Sequence, residues 1–504
     1  MKMPESADLA ARVFWVLIII VVGFYAVNSL LFTSLIDDAE VTYYKKDNVI
    51  LLVASIVGFC LLFAFLFKKA QNTVLANINV LPITLIVIAI IGCMLVTFSH
   101  DIGFWADQDI SLAIARSRDF TGNIEGSYLS AYPFQIPWII VAIIANKIAG
   151  TFDYILLRYV NVAGIVIIVY CLSKITDMLF RDKFITQTTT ILCIGFIPLF
   201  MYIFFVYNTI LGFMFAMLSA YFFLRYIFAD RKRFAIVSFI CISAAFLLRQ
   251  SHILFIIAMI IVGVWLIVKR IKPAKTLALL ASFIIVILFA TSFVNSLVEI
   301  KTGKTVQQGV PITASIAMGM QESPRAPGWY NRYSLTVLED AGFDSDLADE
   351  AARQEIADRV KVFSENPLYA LEFFYKKATS MWNDPTFQGI WVVAVPGDLN
   401  AENSAPLFSQ GETTVAGFTN LSGFMNWYQS LVLVLAAVAI ALNRKRWSLL
   451  HYLPLIIFLG SVCFFMILEA KSQYSVFFFT LLIPYAAIGL KGITGFIYDR
   501  LEKR

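Results

Sequence analysis

The stretch FWADQDISLAIARSRDFTGNIEGSYLSAYPFQIP, residues 104–137, lies between two apolar parts of the chain and carries three aspartates, one glutamate and a Tyr-Pro pair. The apolar run before it is about as long as a helix needs to cross a bilayer. Because charged side chains are costly inside hydrocarbon, we expect this stretch to lie at a membrane face. The sequence therefore predicts a membrane-spanning chain with an acidic segment beside one of its spans.

Composition points to the same class of protein. Of the 504 residues, 60% are hydrophobic and 14% are charged, whereas a soluble domain is about 25% charged. Many apolar runs reach about 20 residues, the length of a transmembrane helix. We therefore predict an all-α polytopic membrane protein.

Cysteines and net charge exclude other classes. All six cysteines lie inside apolar runs, which is typical of small packing residues and not of a disulfide framework or a metal site. The net charge of +5 comes mostly from lysine and arginine between the spans, so no nucleic-acid partner is expected. The first apolar run is too long for a signal peptide and is interpreted as an uncleaved span.

Twelve spans are predicted, and their orientation follows from the basic residues that connect them. The spans cover residues 13–34, 49–67, 77–98, 154–173, 184–206, 209–228, 234–248, 251–268, 276–297, 426–443, 447–468 and 475–496. Clusters such as Arg231-Lys232-Arg233 and Arg444-Lys445-Arg446 alternate with turns that lack them, namely 207–208, 249–251 and 469–473. By the positive-inside rule, the clusters and both termini are cytoplasmic and the other turns are external.

Residues 134–150 are apolar but short, and they contain Pro137. If they crossed the bilayer, the basic residues after the next span would fall outside. We therefore predict an interfacial or re-entrant helix, which makes residues 99–153 one external element.

Four domains follow from these assignments. Residues 1–76 are predicted to be an amino-terminal addition of two spans, and residues 77–298 a transmembrane core that includes the external loop 99–153. Residues 299–425 are richer in Gly, Pro, Asp, Glu and Asn and are predicted to form an external domain. Residues 426–504 are the carboxy-terminal transmembrane helices.

Acids of the first external element are candidate catalytic groups. Asp107 and Asp109 follow a span that ends near Asp101, and Tyr128 and Tyr132 are aromatic residues that could line a sugar site. A general base could deprotonate an acceptor hydroxyl here. The alternative is a solvated loop whose aspartates cap a helix.

Isolated cations at predicted external span ends are candidate phosphate ligands. They are Arg158, Arg249 and Lys471. Several cations at one membrane face suit a phosphate, which accepts charge-assisted hydrogen bonds. The alternative is that these side chains extend to lipid headgroups.

Several motifs resemble those of the GT-C membrane glycosyltransferases, and most closely bacterial members near the protein mannosyltransferases and aminoarabinose transferases. The motifs are DQDISLAIARSRDFTGN, YLSAYPFQ, LLRYVN, MGMQESPRAPGWYN and KATSMWNDPTF, which occur in that order within residues 77–500. The resemblance implies a GT-C-like fold with about 12 transmembrane helices. It does not extend to the first two spans.

The resemblance also implies residue roles. Asp107 would take the position of the catalytic base, with Asp109 and Asp101 as alternatives. The donor would contact a set of implied binding residues, namely Arg158, Arg249, Lys377, Lys471, Tyr128, Tyr132, His252 and Tyr474. Relatives often carry an acid where this chain has Asn208, and Arg-Tyr where it has Gln473-Tyr474. No metal ligand and no cofactor is predicted, although a divalent cation stays open.

Together these observations predict a plasma-membrane glycosyltransferase that acts at the external face among membrane lipids. The donor would be a polyprenyl-phosphate-linked sugar, and the acceptor an external polysaccharide, teichoic-acid-like polymer, glycolipid or protein. A transporter or lipid flippase is one alternative, which would show repeat halves with broken helices. A lipid-linked glycan polymerase or ligase is another.

Overall fold

The computed structural model describes residues 9–36, 40–71, 79–98, 103–104, 106–117, 128–150, 154–393 and 420–501. These residues are helical except for turns and one two-stranded antiparallel hairpin, formed by β1 (Phe32–Ile36) and β2 (Thr42–Lys46). The prediction of an all-α polytopic membrane protein is confirmed.

Ten helices in the described part of the chain are long and apolar enough to cross a membrane. They are Leu9–Leu31, Val49–Leu66, Val80–Phe98, Ile155–Phe180, Asn208–Ala229, Gln250–Val268, Pro273–Thr302, Leu421–Leu442, Leu449–Ile467 and Val476–Ile497. An eleventh span arises if Lys183–Gly195 and Pro198–Phe204 count as one, bent by 56°. Pro198 explains this bend, because proline lacks the N–H that would continue the helix.

The predicted count of twelve spans is not confirmed. The remaining predicted span, residues 234–248, corresponds to the helix Lys232–Leu248. Its 17 residues place it at the lower limit for crossing a hydrocarbon core.

Residues 134–150 form a short helix, as their length predicted. A 3₁₀ turn at Pro133–Gln135 leads into Ile136–Ala149. Gly150 ends the helix with φ of 69°, a conformation that suits glycine. At 1.5 Å per residue the 14-residue helix extends about 21 Å, less than a hydrocarbon core. Its interfacial position stays a prediction.

The described part of the predicted external domain, residues 299–393, contains further helices. They are Ile312–Gly319, Tyr333–Asp340, Ser345–Glu365, Pro367–Trp382 and Gly389–Val393. Asp344 caps the third of these by accepting hydrogen bonds from the Asp346 and Leu347 amides. Leu338, Ala348 and other small apolar residues form a separate minor core between these helices.

The amino-terminal region packs closely against later parts of the chain. Trp15 donates its indole N–H to the Ile440 carbonyl at 2.9 Å, and the ring of Tyr25 lies 5.7 Å from that of Trp382. In the hairpin, the Ser34 hydroxyl donates to the Thr379 carbonyl at 2.8 Å. The hairpin is thereby held against the helix Pro367–Trp382, and Glu40, which lies just before β2, reaches the site described next.

Candidate active site

A cavity of about 580 Å³ lies where several inter-helix connections meet. The turns at 207–208, 249–251 and 469–473, which the charge pattern predicts to be external, all contribute to its lining. Its walls include Glu40, Asp107, Tyr128, Tyr132, Tyr207, Asn208, Thr209, Arg249, Arg325, Tyr330, Glu469, Lys471 and Tyr474. Six of these side chains are formally charged, three acids and three cations.

Asp107 enters the cavity from the first turn of the helix Ala106–Ser117. Gln108 beside it is buried and accepts a hydrogen bond from the Val206 amide at 3.1 Å, which fixes the helix from its other side. Ala106 has φ of 54°, a conformation that non-glycine residues adopt at some energetic cost. The backbone is therefore strained at Ala106, directly before the residue that enters the cavity.

The Asp107 carboxylate makes no hydrogen bond or ion pair with any residue that the structure describes. Its side chain is accessible from the cavity, but surrounding protein limits its hydration. This desolvation raises the pKa of Asp107 above its usual value, while the charges of Lys471 and Arg249 oppose the rise. A carboxylate without a partner and with a raised pKa is suited to accept a proton.

Three tyrosines form an aromatic wall beside Asp107. The hydroxyls of Tyr128 and Tyr207 lie 3.4 Å apart, and the rings of Tyr128 and Tyr132 have centroids 5.2 Å apart. Aromatic faces with hydroxyl edges can pack on a sugar ring and hydrogen-bond its hydroxyls.

Arg249 follows the last residue of the helix Lys232–Leu248. Its Nη1 donates to the Thr209 hydroxyl at 2.9 Å and to Asn208 Oδ1 at 3.5 Å. Its guanidinium lies over the ring of Tyr474 at 5.1 Å. No carboxylate among the described residues lies within ion-pair distance of this guanidinium, so its charge is held in place by neutral groups.

Lys471 and Arg325 share one carboxylate, that of Glu40. Lys471 Nζ lies 3.1 Å from Glu40 Oε1, and Arg325 Nε lies 2.8 Å from Oε2. The Gln388 amide also donates to Oε1 at 3.0 Å. Both cations therefore have a carboxylate partner, unlike Arg249, although the single negative charge of Glu40 leaves this cluster with a net charge of +1.

Glu469 is the third acid of the cavity. It accepts a hydrogen bond from the Tyr474 hydroxyl at 3.0 Å. Desolvation raises its pKa, Lys471 and the Tyr474 hydrogen bond oppose this, and the negative charge of Asp107 adds to the rise. Two acids in one cavity with raised pKa values favour a state in which one of them is protonated.

The cavity brings together Asp107, Arg249, Lys471, Tyr128, Tyr132 and Tyr474 from the predicted site residues. Arg158 is buried between the rings of Phe104 and Phe204 and does not line the cavity. Asp109 is exposed on the helix Ala106–Ser117, also away from the lining, and Asp101 lies outside the described residues.

Lys377 and His252 are also held elsewhere. Lys377 is fully buried and donates to the carbonyls of Gly319, Met466 and Leu468, which match the three hydrogens of an ammonium group. His252 is buried, and its Nδ1 lies 3.1 Å from the Ala245 carbonyl. Neither side chain faces the cavity.

Sequence reasoning missed Glu40, Arg325, Tyr207 and Tyr330 as cavity residues. Glu40 belongs to the amino-terminal region, which the resemblance does not cover. Arg325 and Tyr330 lie in the motif MGMQESPRAPGWYN, so that motif carried a signal for them.

Among the residues that the structure describes, no group of three or more His, Cys, Asp or Glu side chains is arranged to hold a metal ion. The two oxygens of Glu40 already accept from cations.

Comparisons with known proteins give structural likeness only. No family model matches the chain, and no curated protein matches it. Among solved structures, it is similar to the archaeal oligosaccharyltransferase AglB from Archaeoglobus fulgidus in complex with an inhibitory peptide and a dolichol-phosphate, at 15% identity and a TM-score of 0.42. That match covers 84% of this chain and 51% of the other.

A second structure of the Archaeoglobus fulgidus enzyme, tethered with an acceptor peptide containing the NVT sequon, matches at 14% identity and a TM-score of 0.43. It covers 86% of this chain and 51% of the other, so the chain spans about half the length of the structures it matches. A TM-score below 0.5 does not establish a shared fold.

Proposed function

We propose that the protein is a membrane glycosyltransferase that moves a sugar from a polyprenyl-phosphate donor to an acceptor at the external face of the plasma membrane. One observation carries the proposal: a carboxylate without a described partner, Asp107, and a guanidinium without a described carboxylate, Arg249, line the same cavity. The first group suits a base and the second suits a phosphate.

The reaction assigns one task to each group. Asp107 accepts the proton of an acceptor hydroxyl, whose oxygen forms a bond to the anomeric carbon of the donor sugar. The bond from that carbon to the phosphate oxygen breaks, and its electron pair leaves with the polyprenyl phosphate. Arg249 stabilises the negative charge that grows on the departing phosphate. Direct attack from the opposite face inverts the anomeric configuration.

The aromatic wall of Tyr128, Tyr132 and Tyr207 would hold the donor sugar between Asp107 and Arg249. Tyr128 and Tyr132 offer ring faces to its carbon skeleton, and Tyr207 offers a hydroxyl. Acceptors of three classes suit this chemistry, because a glycan, a glycolipid and a protein can all present a hydroxyl. In this proposal residues 299–425 are the external domain, and its described residues Val310, Arg325 and Tyr330 line the cavity.

The proposal is tested with the purified full-length protein in lipid nanodiscs. A panel of radiolabelled sugars on undecaprenyl phosphate (glucose, galactose, mannose, N-acetylglucosamine and arabinose) is offered with isolated cell-envelope fractions as acceptors. Transfer of one sugar by the wild type, and its loss in Asp107→Asn, supports the proposal. No transfer from any donor on the panel contradicts it.

The same assay separates the two alternatives. In reconstituted vesicles, a flippase would move the labelled lipid from one leaflet of the bilayer to the other without forming a glycosidic bond. A polymerase would give a ladder of products in place of one added sugar. A single added sugar excludes both readings.

A further inference from the structure

Glu40 is a buried acid in the cavity that the catalytic scheme does not use. It is 4% exposed, and its two oxygens accept from Arg325, Lys471 and Gln388. A buried carboxylate is costly unless it is fully paired, and this one has two cations and an amide. Its presence beside Asp107 therefore requires an explanation in terms of these cations.

The protein fixes Glu40 independently of its ion pairs. The hairpin that precedes and follows it is pinned by the Thr42 amide, which donates to the Arg325 carbonyl at 2.9 Å, and by Ser34 on the helix Pro367–Trp382. Glu40 itself has φ of 62°, a strained conformation for this residue type. The fold accepts this strain and places the carboxylate between the two cations.

Gln388, whose side-chain amide donates to Glu40, is held in place as well. Asp384 is buried and accepts from the backbone N–H of Gln388 at 2.7 Å and from the Ser472 hydroxyl at 2.6 Å. The side-chain oxygen of Gln388 in turn accepts from the backbone N–H of Gln473 at 3.1 Å. The turn that carries Lys471 is thus tied to the same network that holds Glu40.

The charge arrangement shows what Glu40 does to the cavity. Without it, Arg325 and Lys471 would join Arg249 as cations that no described carboxylate pairs, and all three line one cavity. A donor phosphate could then bind to Arg325 and Lys471 instead of Arg249. With Glu40 in place, Arg325 and Lys471 are held by a carboxylate, and Arg249 is the cation of the lining that no described carboxylate pairs.

Resting on the proposed function, we infer that Glu40 is a positioning residue, which retains Lys471 and Arg325 on one wall so that the donor phosphate is directed to Arg249. The amino-terminal region that lies outside the glycosyltransferase resemblance would thus complete the site. Glu40 touches neither the sugar nor the reacting atoms in this scheme.

The pH profile of transfer distinguishes this role from a purely structural one, because the loss of a structural contact alone would not shift the pKa of Asp107. Asp107 is faced by Lys471, Glu40, Arg249, Glu469 and by tyrosines, namely Tyr128, Tyr132, Tyr207, Tyr330 and Tyr474. The negative charge of Glu40 raises the pKa of Asp107, after the larger effect of desolvation, and the positive charge of Lys471 lowers it. Glu40→Gln removes the negative charge that raises the pKa of Asp107, and it leaves the positive charge of Lys471 unpaired. Both consequences lower the pKa of Asp107.

The experiment compares Glu40→Gln, Glu40→Asp and the control Glu372→Gln in nanodiscs. Glu372 forms an exposed ion pair with Lys376 outside the cavity. The donor is the undecaprenyl-phosphate sugar that the wild type transfers. A soluble probe, farnesyl phosphate, measures phosphate binding without turnover.

We expect Glu40→Gln to lower kcat by roughly 10- to 100-fold, the scale of a misplaced substrate. It should also lower the donor KM and bind farnesyl phosphate several-fold more tightly, because two cations are freed. The acid limb of kcat/KM should move to lower pH. Glu40→Asp should recover part of kcat, and Glu372→Gln should match the wild type.

Unchanged kinetics and an unmoved acid limb in Glu40→Gln, with an active wild type, would overturn the inference while leaving the proposed function intact. An inactive wild type overturns the proposed function first. If Glu40→Gln does not accumulate, Lys471→Met decides: because Glu40 is inferred to keep Lys471 away from the donor phosphate, farnesyl phosphate should bind as tightly as to the wild type. Binding that is several-fold weaker would make Lys471 a phosphate ligand and overturn the inference.

Discussion

The guanidinium of Arg249 lies 5.1 Å from the ring centroid of Tyr474, and the hydroxyl of that ring donates to Glu469 at 3.0 Å. This ring contact, together with the hydrogen bond to Thr209, holds the guanidinium in place without neutralising its charge. A planar fork held in this way can bind two phosphate oxygens, whereas an ammonium cannot reproduce the stacking or the bidentate geometry.

Arg249→Lys should therefore lower kcat/KM for the donor by about tenfold or more, equivalent to about 1.4 kcal/mol. Arg249→Ala should lower it further. Initial rates against donor concentration measure both effects. Arg225→Lys is the matched control, because Arg225 also stacks on aromatic rings but lies away from the cavity. A silent Arg249→Lys would favour contact with bulk lipid headgroups.

Asp107→Asn should lower transfer by about 10² to 10⁴-fold, the usual contribution of a general base. The amide keeps the size of the side chain but cannot accept the proton. Asp109→Asn serves as the control, since Asp109 is exposed and does not line the cavity. If the Asp109 variant were inactive and the Asp107 variant normal, the base would have to be reassigned.

The pH dependence of transfer should reflect the environment of Asp107. Desolvation raises the pKa of Asp107 above the ordinary value for an aspartate. The base works when deprotonated, so kcat/KM should fall as the pH drops through this raised pKa, at a higher pH than an ordinary aspartate would show. The limb should persist in Glu469→Gln. An acid limb near pH 4 or below would contradict the prediction.

Lys377→Met should destabilise the protein by about 3 kcal/mol, because three buried carbonyls would lose their donors. These carbonyls belong to Gly319, Met466 and Leu468, so Lys377 joins the predicted external domain to the end of the span Leu449–Ile467. Thermal unfolding in detergent measures the loss. Lys376→Met, at an exposed neighbour, should have little effect. Normal stability with a raised donor KM would instead support a ligand role.

A cysteine at Arg231 should resist labelling by an impermeant thiol reagent in intact cells, and one at Arg353 should be labelled. The positive-inside rule places the first in the cytoplasm and the second outside. Cys93 and Cys463 are exposed on the protein surface, so both are first replaced by serine. Labelling at Arg231 would contradict the orientation.

The sequence by itself determined the class of the protein and most of its helices. Apolar runs of about 20 residues specify membrane spans because each helix satisfies its own backbone hydrogen bonds. The same reasoning found Asp107, Arg249 and Lys471, since charges beside apolar runs are conspicuous. It also found the short helix after Pro133, because length and charge parity are local properties.

Tertiary structure decided which of these groups meet. Arg158 appeared equivalent to Arg249 in sequence, and Lys377 was a further implied binding residue, yet two aromatic rings contact Arg158 and three carbonyls hold Lys377 away from the cavity. Glu40 carried no local signal, because its role depends on Lys471, which lies 431 residues away along the chain. A pattern read along the chain reports burial and periodicity, but the pairing of distant charges is set by how helices pack.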